Sequence, residues 1–453
     1  MMDNDSQEHR KKLFIDALKG RFTVYSLLGK YDEGIKDCKR ALSFCKKNIR
    51  STSLLAELMA DLGDMLKWKN NNKEAKKILI DTIKKIDNRK DRKLYSRCLN
   101  LLGTIHLDIG NYDKSLEYYN RCLRIAENMG DKEEIASVFN NIGLFYWGRG
   151  ELDKALKYFK KSLQLWKEVN NKVGIGVASG NCGIVYFSKG DLSEALRYFR
   201  ENLGVSDEIN HKVRIAIALG NIGEVYKEKG NIEKALEFYR KSLDVAMEMG
   251  NKMETAFSCL YLGAAYSEKR SLEEARKFLE KAKKIFIEIE DKVDLSVVYA
   301  FLVNLSIEEK NCNLALKLAE KSLSFAQRTG AKEQEVVALR AMGKALYYGS
   351  KQQIAIRKQR TDKLQVKSER LKVKSDTLHY LKQSVAIARK LNMQLELAKS
   401  LYGLGKVLGH TGKIKESRNY LKEAKKIFKK AGSKMWLKKM ENLFGYRKKE
   451  KQL

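Results

Sequence analysis

A glycine recurs every 40 residues. Gly63, Gly103, Gly143, Gly183, Gly223 and Gly263 stand at that spacing, and Val303 and Gly343 continue the series without slippage. A fixed period of this length means one supersecondary unit, repeated and stacked, rather than two or three separate globular cores. The rest of the unit keeps the register. Twelve residues on comes a small residue: Ala75, Ser115, Ala155, Ala195, Ala235, Ala275 and Ala315. Three on comes an aromatic or its substitute: His106, Tyr146, Tyr186, Tyr226 and Tyr266. Sixteen on comes a large apolar side chain: Leu79, Tyr119, Phe159, Phe199, Tyr239 and Leu279.

That pattern is a helix hairpin. Ile142, Phe145 and Tyr146 lie on one face of a first helix, and Ala155, Leu156, Phe159, Ser162 and Leu163 on one face of a second. Gly150-Glu151 or Gly190-Asp191 turns between them, and Asn170-Asn171 or Gly250-Asn251 ends the unit. Glycine and asparagine tolerate the left-handed backbone that stops a helix, and aspartate or asparagine then caps the next one. Glycine on one helix against alanine on the other is expected to allow close backbone approach. The chain has no proline, so nothing interrupts helix following helix.

The small and aromatic positions carried by Gly143, Tyr146, Ala155 and Phe159, and again by Gly183, Tyr186, Ala195 and Phe199, resemble the tetratricopeptide repeat. The 40-residue period is similar to the longer-helix variety in Pins-type adaptors, kinesin light chains and bacterial signalling proteins of this family. The family's frequent terminal proline is missing throughout. The resemblance implies an all-α, right-handed α-solenoid of about ten hairpins. The expected layout is a polar N-terminal tail over 1–12, the solenoid over 13–433, a capping helix over 434–446 and a basic tail over 447–453. The stretch from Glu396 through Trp436 also resembles the terminal repeats of bacterial proteins that join an ATPase or cyclase domain to such a sensor. From Gly343 to Gly405 is 62 residues, so one unit carries a basic insertion at about 349–375. It holds a tandem heptapeptide, Lys363 to Glu369 and Arg370 to Asp376. Leu364, Leu371 and Leu378 suit a helical extension, while Leu364/Val366 and Leu371/Val373 alternate as in short strands.

In this family the first helix of each pair lines the groove. With the glycine counted as position 8, the resemblance gives positions 2, 5, 6, 9, 12 and 13 to the ligand. Asn141, Asn181 and Asn221 hold position 6 in three consecutive repeats, and Asn100 and Asn140 hold position 5. An amide offers a donor and an acceptor, which suits the backbone of an extended peptide. Leu144, Trp147, Val177, Ile184, Phe187 and Ile217 are expected around them as an apolar and aromatic lining. The alternative is that the asparagines bond within the helix pair and the aromatics belong to the core. The cations of the family's carboxylate clamp are missing from that window. Groove charge runs from Glu57, Asp61 and Asp64 to Arg340, Lys344, Lys399 and Lys406, which would orient a charged ligand.

The balance of 90 Lys+Arg to 57 Asp+Glu gives +33, and 15 of those cations fall between Lys413 and Leu453. Trp436, Leu437, Met440, Leu443 and Phe444 form an apolar stripe there. Such a helix caps an open solenoid end, or binds a membrane surface or acidic partner. The seven cysteines include no Cys-x-x-Cys pair and suit buried, reduced thiols in a cytoplasm. The start of the chain lacks a secretory apolar core, and no apolar run is long enough to span a bilayer. The five histidines are scattered away from metal-ligand spacing, and no phosphate loop or nucleophile elbow is present. The expectation is therefore a non-catalytic scaffold without metal or small-molecule cofactor, holding a protein or peptide in its groove. Two further readings stay open: the sensor or regulatory subunit of a bacterial signalling or transcription-control system, and a weak binder of nucleic acid or acidic partners through the basic insertion and tail.

Overall fold

The computed structural model describes residues 2–27, 31–49, 51–69, 71–87, 90–357 and 363–449. The side chains of the tandem heptapeptides up to Lys374, and those of Phe444 and the basic residues after it, lie outside the described residues. The chain is 88% helical, with no strand among the described residues, and its helices form consecutive packed pairs.

Two compact units divide the chain, residues 1–148 with 153–178 and residues 149–152 with 179–453. The first is built from α1 (Met2–Leu27), α2 (Tyr31–Asn48), α3 (Thr52–Trp68), α4 (Asn72–Lys85), α5 (Arg92–Asp108), α6 (Tyr112–Met129), α7 (Lys132–Gly148) and α8 (Leu152–Glu168). The chain passes from one unit to the other within α9 (Lys172–Ser188). The second continues with α10 (Leu192–Glu208), α11 (Lys212–Glu228), α12 (Ile232–Glu248), α13 (Lys252–Lys269), α14 (Leu272–Glu288), α15 (Lys292–Glu308) and α16 (Cys312–Thr329). It ends with α17 (Lys332–Arg357), α18 (Lys363–Lys390), α19 (Gln394–His410), α20 (Ile414–Ala431) and α21 (Lys434–Lys449). The insertion falls where α17 and α18 lengthen to 26 and 28 residues, against 17 or 18 for the helices of the preceding pairs from α5 to α16.

The recurring glycine makes room for the large side chain sixteen residues on. A Cβ at Gly143 would sit 2.6 Å from Phe159, and one at Gly183 2.5 Å from Phe199. An aromatic ring, rather than the alanine expected from sequence, fills the space the missing Cβ leaves. A second ladder runs beside it: Tyr186 stacks on Tyr198, Tyr226 on Phe238 and Tyr266 on Phe278, with ring centroids 5.4–5.6 Å apart. Between the helices, Gly190 and Gly230 take positive φ, and Asp191 and Asn231 each accept the backbone N–H three residues on.

The second unit has an arrangement the repeat alone does not dictate. Its last helices pack against its first. One core cluster joins Leu192, Phe199, Ile222 and Val225 to Leu401, Leu408, Phe428 and Met440. A Cβ at Gly150 would meet the backbone of Leu391 at 2.6 Å, at Gly190 it would touch Ala431, and at Gly230 it would meet the backbone of Met435 at 3.0 Å. Three successive turn glycines thus abut the C-terminal helices. Ser433 Oγ completes the contact by donating to the carbonyl of Glu228 at 2.8 Å.

Candidate functional site

Where its ends meet, the second unit holds a partly open cavity of about 450 Å3. Its walls come from the first helices of successive pairs. Measured from the recurring glycine, α11 gives Glu224, Lys227 and Glu228 at positions 9, 12 and 13. Helix α13 gives Leu260, Tyr261 and Ala264, α15 gives Val297, Phe301 and Asn304, and α17 gives Arg340, Ala341 and Lys344. Glu396 and Lys399 of α19 and Met435, Trp436 and Lys439 of α21 complete it. Side chains three to four residues apart share a helix face, so each helix turns its concave positions to the same space.

Charge in the cavity is mostly matched internally. Lys399 pairs with Glu228 at 2.6 Å and with Glu396 at 2.9 Å, and Arg340 pairs with Glu396 at 2.6 Å. Lys227 holds Glu224 and Lys439 holds Glu268, each at 2.5 Å. Burial alone would raise the Glu396 carboxyl, but Arg340 and Lys399 outweigh it and hold the group well below the usual range. Burial likewise works against the Lys399 charge, and Glu228 and Glu396 overcome it. Lys344 is different. Its amine donates to Asn304 Oδ1 at 3.0 Å, and burial, reinforced by Arg340, Lys439 and Lys406, pushes it down to about 7 against the opposing pull of Glu268.

The residues expected from sequence to contact a ligand stand elsewhere. In the first unit, Asn141 Nδ2 donates to Asn100 Oδ1 at 2.7 Å, and Asn100, 9% exposed, donates to Ser137 Oγ at 3.4 Å. Asn140, Leu144, Trp147 and Val177 are half-buried in that unit. In the second unit Asn181 and Asn221 are half-buried, Ile184 and Phe187 pack against the core cluster, and Ile217 is 38% exposed. None of these eleven lines the cavity. Arg340, Lys344 and Lys399, read from sequence as the basic end of the groove, do line it, while Lys406 donates to Tyr348 Oη at 3.0 Å. Tyr261, Phe301 and Asn304, which the same count from Gly263 and Val303 reaches, line the cavity.

Among the described residues no helix is long and apolar enough to cross a membrane. Family models described as tetratricopeptide repeat match residues 57–128, 134–205 and 214–288, and residues 398–430. No curated protein matches the sequence. Among solved structures, a Rap protein complexed with competence and sporulation factor is 11% identical, with a TM-score of 0.57 over 84% of this chain and 98% of that one. A signal-transduction ATPase with numerous domains and a tetratricopeptide repeat sensor, from Pyrococcus horikoshii, is 16% identical, with a TM-score of 0.54 over 81% of this chain and 55% of that one. At such identities the likeness is one of fold.

Proposed function

The chain belongs to the tetratricopeptide repeat family, and on that premise we propose that it is a non-catalytic scaffold that takes a peptide segment of a partner protein into the cavity of its second unit. One observation carries the reading: four successive first helices aim their concave side chains at a single space, with aromatic and apolar groups beside ionic ones. A peptide has the matching mixture of apolar side chains, amides and charges, and recognition surfaces combine aromatic anchors with a few fixed polar groups. The Rap protein of the same fold is described as complexed with a factor, which makes occupancy by a ligand a reasonable use of the architecture. A sensor role uses the same cavity and differs in what occupancy does: it would alter a separate catalytic chain.

Site-directed photo-crosslinking tests the proposal. A photoreactive phenylalanine analogue at Phe301 reports on the cavity wall. The same analogue at Met247, 55% exposed on α12 and away from the cavity, is the control. The expected outcome is peptide adducts from cell extract at Phe301 that are missing at Met247. Equal labelling at both positions, or none at Phe301, rejects the cavity as the partner site.

A further inference from the structure

The terminal repeat of a solenoid ordinarily turns a polar face outward, because no neighbour covers it. Helix α1 departs from this. Ile15, Leu18 and Phe22 bury one side of it in the core of the first unit. On the opposite side Leu13, Ala17, Gly20 and Val24 are all exposed, Leu13 and Val24 by more than half. Their spacings of 4, 3 and 4 keep them on one narrow stripe. Gly20 is unlike the recurring glycines. Gly143 admits the ring of Phe159 and Gly183 that of Phe199, whereas a Cβ at Gly20 would meet nothing within 4 Å. Glycine weakens a helix interior relative to alanine, and no neighbour in the first unit makes use of the space it leaves. Gly204 is open as well, but its neighbours three and four residues away are Arg200, Glu201, Asp207 and Glu208, a charged face. At Gly20 the neighbours at those spacings include Ala17 and Val24.

We propose that this stripe is the seam of a homodimer, in which α1 of a second copy lies parallel to it about a two-fold axis. Charge selects both the occupant and its direction. Written as a heptad, Ala17 and Val24 take a, Leu13 and Gly20 take d, Asp16 takes g and Arg21 takes e. In a parallel pair a g group faces the e group five residues on in the other helix. Asp16 then meets the second copy's Arg21, twice by symmetry. An antiparallel pair would face Arg21 with Phe14 and Asp16 with Thr23, leaving both charges unmatched. Arg21 already faces Asp37 through Nε at 3.2 Å and donates to Tyr25 Oη at 3.4 Å, but its side chain is more than half exposed and its fork has further N–H groups to offer. Ala17 and Gly20 at the centre let the two backbones approach closely. Arg10, exposed at the preceding a layer, ends the seam, since two like charges would meet there. A seam of about three turns would not order two free helices. Here α1 is already fixed by its own core, so pairing has little ordering cost. The seam is small beside a standard interface of about 1,600 Å2, so the dimer should be weak and reversible, with dissociation on the order of 10–100 µM.

The test uses the full chain, never denatured, in sedimentation velocity from about 2 to about 200 µM, a range that brackets the expected dissociation constant. The wild-type chain should pass reversibly from monomer to dimer. Asp16→Lys, which sets a cation against the second copy's Arg21, should weaken the dimer by about tenfold. The double variant Leu13→Asp with Val24→Asp should stay monomeric, with the melting curve of the wild type because both positions are exposed. Direction is read by disulfide capture under mild oxidation. Val24→Cys should give a linked dimer, since equivalent a positions face each other in a parallel pair. Lys47→Cys, at an exposed site on α2, is the control and should give none. The single variants Asp16→Lys and Val24→Cys keep the test decisive if the double variant fails to fold. A monomer throughout the concentration range, a dimer that persists unchanged in Asp16→Lys, or equal cross-linking at Val24→Cys and Lys47→Cys overturns the proposal. Heterologous linkage of Leu13→Cys to Val24→Cys in a mixture, with neither variant linking to itself, would mean an antiparallel pair and overturns it too. So would a stripe that leaves the chain monomeric but binds a helix of another protein.

Discussion

Two glycines on neighbouring helices, Gly183 of α9 and Gly204 of α10, differ entirely in what surrounds them. The ring of Phe199 stands where a Gly183 side chain would begin, whereas a Cβ at Gly204 on α10 would meet nothing within 4 Å. Gly183→Ala should therefore destabilise by about 1–3 kcal/mol through overpacking. Gly204→Ala should stabilise by about 0.5–1 kcal/mol, because alanine has less backbone freedom to lose. Denaturant melts of the pair check both signs. Lys344 makes a pH-dependent prediction of its own. Unfolded, its amine keeps its proton into the ordinary lysine range, and folded, it begins to lose it near 7. Between those values the unfolded chain binds more protons, so this group's cost is largest below pH 7 and fades as pH rises. Lys344→Met should raise the melting temperature at pH 6–7, with a gain that shrinks toward pH 10. A gain that grows with pH would contradict this account.

The paired helices were legible in the sequence because their signals are periodic and local. Gly143, Tyr146, Ala155 and Phe159 each answer to a neighbour within one hairpin, and spacing alone brings them together. The partner of Glu228 could not be read that way. Lys399 lies 171 residues further on, and no periodicity within a repeat joins the two. The same limit hid the cavity: the count from the glycine reaches the residues that line it, but which repeats share one space depends on which ends of the second unit meet. At this scale the ionic contact between α11 and α19 is testable. Glu228 is 1% exposed, and Lys399→Met would leave its carboxylate buried without its cation. The expected cost is about 3–5 kcal/mol, much of it recovered in the double variant Lys399→Met with Glu228→Gln. A double variant no more stable than the single one would show that the loss is one of packing.

For the second unit as a whole, α21 is the element that both packs on α20 and lines the cavity. Trp436 stacks on Phe428 of α20, with centroids 5.3 Å apart and an interplanar angle of 7°, and Met440 is fully buried. Met435, Trp436 and Lys439 of the same helix line the cavity. If α21 is both end cap and part of the partner site, as proposed, deletion from Lys434 onward should lower the melting temperature and weaken peptide capture together. A deletion that abolishes binding at an unchanged melting temperature would rule out the capping role.

The packing of last helices on first also bears on how the second unit is made. Stacked repeats ordinarily contact only their neighbours, and such chains can fold from several starting points at little cost in loop closure. Here Ser433 meets the backbone of Glu228 across 205 residues. Because ordering the intervening hairpins shortens the loop those contacts must close, we expect closure to be a late step. Until it occurs, the apolar faces around Leu192, Phe199 and Phe428 are open to an identical nascent chain. At high concentration the C-terminal hairpin of one molecule can settle on the α9–α11 face of another and satisfy the same contacts in a swapped dimer. Rapid refolding from denaturant at rising protein concentration should accordingly yield a growing dimer fraction, while slow refolding at low concentration returns the monomer.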